Sequence, residues 1–219
     1  MLTPNDDTKQ GGKIGYLRRP RQNIHMIDPI LFNTLHHQVI IEEKRCVSKA
    51  IEGNIIPSAT YFEAPYITNS ESERMKYYID CINTLRDSDI IFFDPDNGLE
   101  VDSCPKGSSG SSKYLYYDDL NNIYSAGYSI IVFQHHKPRQ SHLYKQLFIK
   151  DRVDSIFSMV PNLSEVISID AKSVVYFVLP QRISNYKICQ TCDSIEALWN
   201  KQLFNNHFKR DIDHPPGNT

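Results

Sequence analysis

The chain has 219 residues, of which 40% are hydrophobic and 23% charged, and its formal net charge is −2. This is globular composition on a chain long enough to bury a core without disulfides or a structural metal, and it excludes a disordered polymer and a globally basic nucleic-acid coat. No window approaches the roughly 18 apolar residues of a membrane span, and "MLTPNDDTKQGGK" lacks the charged-then-apolar pattern of a leader, so the chain reads as cytoplasmic.

Gly11, Gly12 and Gly15 form a glycine-bearing stretch near the start. "YLRRPR" at 16–21 then packs Arg18, Arg19 and Arg21 together, a run that suits a solvated loop or a phosphate grip. Asp28-Pro29 is an N-cap followed by proline at the first helical position, and Leu31, Phe32, Leu35 and Val39 repeat at helical spacing behind it. His36 and His37 fall inside that helix as surface or packing residues. "CVSKAIE" at 46–52 alternates like a strand and ends on Glu52, and "SATYFEA" at 58–64 is a weaker strand. Ser70 and Glu73 match a capping box, with Met75, Tyr78, Ile79, Ile82 and Leu85 along one helix face.

"DIIFF" at 89–93 is apolar throughout, as an interior parallel strand is, and it runs directly into "DPDNGLE". "GSSGSSK" at 107–113 is low-complexity and reads as a flexible loop. Asp118 and Asp119 favour the positive end of a helix that stops at Gly127. "YSIIVFQ" at 128–134 is a second apolar strand, followed by the basic stretch "QHHKPRQSH". Ser141 caps a helix to about Phe157. "EVISID" and "SVVYFVLP" are separated only by Ala171-Lys172, which predicts an antiparallel hairpin. Thr191 to Asn205 carries a last helix. Cys189 and Cys192 form one CxxC with no second pair at zinc spacing, so they read as reduced thiols.

Strands alternating with helices predict an α/β chain, a Rossmann-like three-layer sandwich whose mostly parallel sheet ends in a C-terminal antiparallel hairpin. Residues 1–206 form its single domain and 207–219 a flexible polar tail. This element order resembles the class I methyltransferase fold.

In an open α/β sheet, ligands bind at the carboxyl ends of the strands. If "DIIFF" and "YSIIVFQ" are parallel neighbours, Asp94, Asp96 and Asn97 lie beside His135 and His136. Consecutive strand residues face opposite ways, so one histidine enters the site: His135, nearer the strand body, with His136 left on the surface. "FFDPDNG" resembles the fourth motif of amino methyltransferases, Asp/Asn-Pro-Pro-aromatic. Asp94 and Pro95 match its first two positions, while Asp96 and Asn97 stand where that motif has proline and the aromatic. The resemblance implies that Asp94 accepts a hydrogen bond from a target amino group on nucleic acid or a nucleotide. It also implies S-adenosylmethionine as methyl donor, with Gly11, Gly12 and Gly15 in its glycine turn and Glu52 on its ribose. The chain resembles, too, uncharacterised bacterial and phage proteins that carry "DPDNGLE" with a downstream "SSKY", a likeness that transfers no activity.

A second chemistry is open. Asp94, Asp96 and Glu100 are hard oxygen ligands suited to Mg²⁺ or Mn²⁺, and with His135 and the phosphate-neutralising Lys113 they would make a nuclease or phosphoesterase site. A third possibility is a non-catalytic binding module on a decayed enzyme fold.

Overall fold

The computed structural model describes residues 14–18, 25, 28–44, 51–62, 64, 69–136, 140–171, 173–202 and 209–215. The chain divides into two compact units: Met1–Pro4 with Phe62–Glu196 and Phe208–Thr219, and Asn5–Tyr61 with Ala197–His207.

In the smaller unit, α1 is Gly15–Arg18 and α2 is Pro29–His36. The Asp28 side chain accepts from Leu31 N at 2.9 Å, and Pro29 occupies the first turn, where its missing N–H costs nothing. A π-helical turn, His37–Ile41, continues α2. His36 stacks on Phe32, and His37 pairs with Glu42 at 3.3 Å. The alternating segment 46–52 does not yield a described strand: 46–50 lie outside the described residues, and Ile51 and Glu52 are helical. Residues 58–62 form no strand either, with Ser58 at φ 64°.

The larger unit follows with α3 (Glu71–Thr84), β1 (Ile90–Phe93), a 3₁₀ turn at Ser111–Lys113, α4 (Tyr117–Ser125), β2 (Ser129–His135) and α5 (His142–Met159). Then come β3 (Val166–Asp170), β4 (Val174–Leu179), α6 (Asn185–Gln202), which crosses the division, and β5 (Lys209–Asp213). The Ser141 hydroxyl caps α5 by accepting from Tyr144 N at 3.3 Å. Ser70 occupies the N-cap of α3 but its side chain does not make the cap bond. Among the described residues no helix is long and apolar enough to cross a membrane.

The sheet order is β1-β2-β4-β3-β5. Only β1 and β2 run parallel; β2–β4, β4–β3 and β3–β5 are antiparallel. The expected Rossmann-like, mostly parallel sandwich is therefore overturned. The predicted hairpin is the reason: β4 runs back antiparallel to β3 and inserts between β2 and β3, so the crossover through α5 joins strands that are not neighbours. β5 adds a further antiparallel strand, in the segment read as a polar tail. β1 is an edge strand rather than an interior one. Ile91 and Phe93 are buried, while Ile90 and Phe92 are 42% and 51% exposed.

One sheet face carries Ile91, Phe93, Ile130, Val132, Val175 and Phe177 and is covered by α3, α4 and α5 through Tyr78, Cys81, Leu120, Ile123, Val153 and Ile156. On the other face Ile167, Ile169 and Val178 pack under Ile188 and Cys192 of α6. The β1 end of that second face stays open at Ile90 and Phe92.

The buried stripe of α3 is not the one its apolar residues predict. Arg74, Tyr78, Cys81 and Leu85 face inward, and Met75 and Ile79 are exposed. Arg74 is the cause. Its guanidinium pairs with Asp119 of α4 at 2.6 Å and donates to Tyr114 O at 2.8 Å, with its carbon 4.5 Å from the Tyr116 ring centroid. A buried charge is tolerated only when paired and hydrogen-bonded, and this one is both. Removing one partner strands the other, which costs about 3–5 kcal/mol. Asp119→Ala is expected to lower the unfolding free energy by that amount in urea titration. Asp154→Ala, which breaks the exposed Lys150–Asp154 pair, is expected to change it by less than about 1 kcal/mol.

Candidate functional site

β1 and β2 are parallel neighbours, with Phe93 opposite Val132, and β2 runs on past the end of β1 to His135. Asp94 leaves β1 on the face of Ile90 and Phe92, and His135 leaves β2 on the same face, both exposed. Crowding by surrounding protein pushes the Asp94 carboxyl above the ordinary aspartate range. The charge of His135 pulls it back and that of Asp96 pushes it further up. Asp96 and Asn97 are exposed on the turn. Asp94, Asp96 and His135 thus form one electrostatic group.

Next to it the sheet supplies aromatics that local sequence reading missed. Phe133 lies two residues before His135, with ring centroids 4.7 Å apart, and packs at 5.5 Å on Tyr176, its register partner on β4. Burial first, and then the Asp94 charge, raises the Tyr176 hydroxyl above the usual tyrosine range. Phe92 shares this face on β1, opposite Ile131, and is 51% exposed. The two-residue spacings Phe92/Asp94 and Phe133/His135 are visible in the sequence. What joins them is the β1–β2–β4 register.

The other histidine is not on the surface. His136 is 7% exposed; its Nε2 lies 2.9 Å from Asp170 Oδ1 and its ring packs on Phe148. It ties β2 to the β3–β4 hairpin.

Glu100 does not join the acidic group. Its Oε2 accepts from Tyr117 N at 2.8 Å, capping α4, and its carbonyl accepts from Arg152 Nη1 at 2.8 Å. Burial raises its carboxyl, although the Tyr117 N–H holds it partly down. Among the described residues no three His, Cys, Asp or Glu side chains converge as a metal would need. Of the three carboxylates read as Mg²⁺ or Mn²⁺ ligands, Glu100 is engaged at the start of α4, while Asp94 and Asp96 stay together at the turn.

Lys113 does arrive at the turn. Its carbonyl accepts from Asn97 N at 2.9 Å, and its side chain is exposed. Leu115 N donates to Gly98 O at 3.0 Å, and Glu100 N to Leu115 O at 2.9 Å. "SSKY" is thus zipped to "DPDNGLE" rather than free, and Arg74 holds its far side through Ser111 O and Tyr114 O.

The proposed cofactor residues lie elsewhere. Gly11 and Gly12 fall outside the described residues, and Gly15 opens α1 without a preceding described strand. Glu52 is helical and borders an open cavity of about 450 Å³ with His37, Gln38 and Glu42. A glycine turn after one strand and an acid after the next is not seen among these described residues. Cys189 of the CxxC donates to Glu165 Oε1 at 3.4 Å, and its thiol is pushed up to about 11, first by burial and then by that carboxylate, which leaves a poor nucleophile.

No protein-family model matches the chain, no curated protein matches it in sequence, and no solved structure matches it. Function is therefore read from the side chains at the Asp94 and His135 strand ends.

A raised carboxyl means that folding disfavours the charged form. The penalty is absent below the unfolded pKa of about 3.9 and grows as pH rises through the folded value. Asp94→Asn is expected to be more stable than the wild type at pH 7, with the difference vanishing near pH 3.5. Melting curves at both pH values check this.

Proposed function

We propose that this protein is directed at nucleic acid or a nucleotide, and that the sheet surface at Asp94 and His135 receives an unpaired base bearing an exocyclic amino group. The supporting observation is a carboxylate, Asp94, beside the Phe133–Tyr176 pair on one sheet face. A flat base stacks on Phe133, whose ring Tyr176 braces edge-on, and Asp94 accepts a hydrogen bond from the base's amino group. Asn97 removes the aromatic from the turn itself, and the neighbouring strands offer others in its place. His135, beside Asp94, is positioned to take or give a proton at the same group, which is the arrangement acid–base chemistry uses. Lys113, on the segment zipped to the turn, supplies a cation for a phosphate. Binding of a base by Asp94 and Phe133 calls on neither a methyl donor nor a metal. Whether the bound base is altered or only held separates an enzyme from a binding module.

Calorimetry with AMP, CMP and UMP tests the reading. AMP and CMP, which carry the amino group, are expected to bind more tightly than UMP. Phe133→Ala is expected to cost about 1–3 kcal/mol of AMP binding, the stacking of one base. Asp94→Ala is expected to erase the preference over UMP. Absence of binding by all three nucleotides and by a single-stranded oligonucleotide would overturn the proposal. So would unchanged affinity in both variants.

A further inference from the structure

Gln134 precedes His135 on β2, and its side chain takes the opposite, covered face, where it is 5% exposed. Its sheet-face neighbours Val132, Val175 and Phe177 are fully buried hydrocarbons. A carboxamide in such a place costs free energy unless its polar atoms are bonded. Both ends are. Oε1 accepts from Leu99 N at 2.8 Å, and Nε2 donates to His135 O at 3.1 Å. The orientation of the amide follows from its partners: only an oxygen can face the Leu99 N–H, and only an N–H can face the His135 carbonyl.

Leu99 is the exit of the acidic turn. Gly98, just before it, has φ +83°, and a Cβ there would lie 2.2 Å from Gln134 Oε1. The carboxamide therefore fills the space a side chain at 98 would take. It hooks the turn on one side and the peptide of His135 on the other. A leucine or methionine would fill the same volume and hold neither.

We propose that Gln134 is a positioning residue that sets the spacing between the acidic turn and His135, and so the geometry in which Asp94 and His135 meet a common ligand. This rests on the reading of the Asp94–His135 surface as a nucleotide site.

Two variants separate positioning from packing. Gln134→Glu keeps the shape, but its carboxylate can only accept; it keeps the Leu99 bond and repels the His135 carbonyl. When protonated it regains a donor, and burial favours the protonated form at mildly acidic pH. Gln134→Met fills the space and loses both bonds at every pH. The measurements are AMP affinity and the hydrogen-exchange protection of the Leu99 amide, each compared with wild type at pH 8 and pH 5, with circular dichroism to establish that each variant is folded. The expected result is AMP binding weakened about tenfold in both variants at pH 8, the effect of one lost hydrogen bond. At pH 5, Gln134→Glu recovers and Gln134→Met does not. Wild-type affinity in Gln134→Met, or in Gln134→Glu at pH 8, overturns the proposal. If wild type binds no nucleotide, the nucleotide reading falls and the Leu99 amide decides for Gln134. Protection lost in Gln134→Met at both pH values and kept in Gln134→Glu at both, as its retained Leu99 bond requires, supports the clamp. Equal protection in all three proteins removes it.

Discussion

The larger unit depends on one buried ion pair. Arg74 and Asp119 are 2% and 6% exposed, so neither is stabilised by water, and each holds the other's charge. Lys106 adds a second cation to Asp119 at 3.1 Å and also pairs with Asp118. From this pair a line of hydrogen bonds reaches the acidic turn. Arg74 fixes the carbonyls of Ser111 and Tyr114; the intervening Lys113 and the following Leu115 then pair with Asn97, Gly98 and Glu100. The turn that carries Asp94 and Asp96 is thus held from behind by a salt bridge two elements away. Rigid support of this kind is what a site requires if its polar groups are to meet a ligand without reorganising.

The mixed sheet explains why the same site has an aromatic wall. In a sheet with helices over both faces, Phe92 and Phe133 would be core. Here α6 covers the β3–β4 part of the second face through Ile188 and Cys192. Phe92 is left half in solvent at the edge strand. Topology, more than local composition, turns core-type residues into a surface that a flat ligand can use.

Periodicity made much of the element list legible. The helices begun by Pro29, Glu71, Tyr117 and His142, the strands ending at Phe93 and His135, and the hairpin all follow from apolar spacing and capping residues. Strand order was not legible, because alternation of strands and helices says nothing about which strand inserts between two others. β5 was hidden for a different reason. Its residues Lys209–Asp213 are charged, and they become a strand by pairing with β3 rather than by burying a face. At the site, Asp94, Asp96, Lys113 and His135 could be named because strand-end chemistry is local. Glu100 could not be told from a ligand, since its role depends on α4 starting beside it in space. Arg74 was invisible among the apolar residues of α3, because its burial is decided by a partner far away in the chain.

The two margins of the sheet are chemically unlike. β5 presents Lys209, Arg210, Asp211 and Asp213, with Lys209 bonded to Asp211 at 2.8 Å and Arg210 paired with Asp193. A charged border of this sort resists the addition of a foreign strand. β1, at the opposite border, is Ile-Ile-Phe-Phe with two of its four side chains in solvent. Self-association of the protein at high concentration would accordingly be one-sided, growing from the β1 border and terminated at the β5 border, so that it favours pairs over fibres.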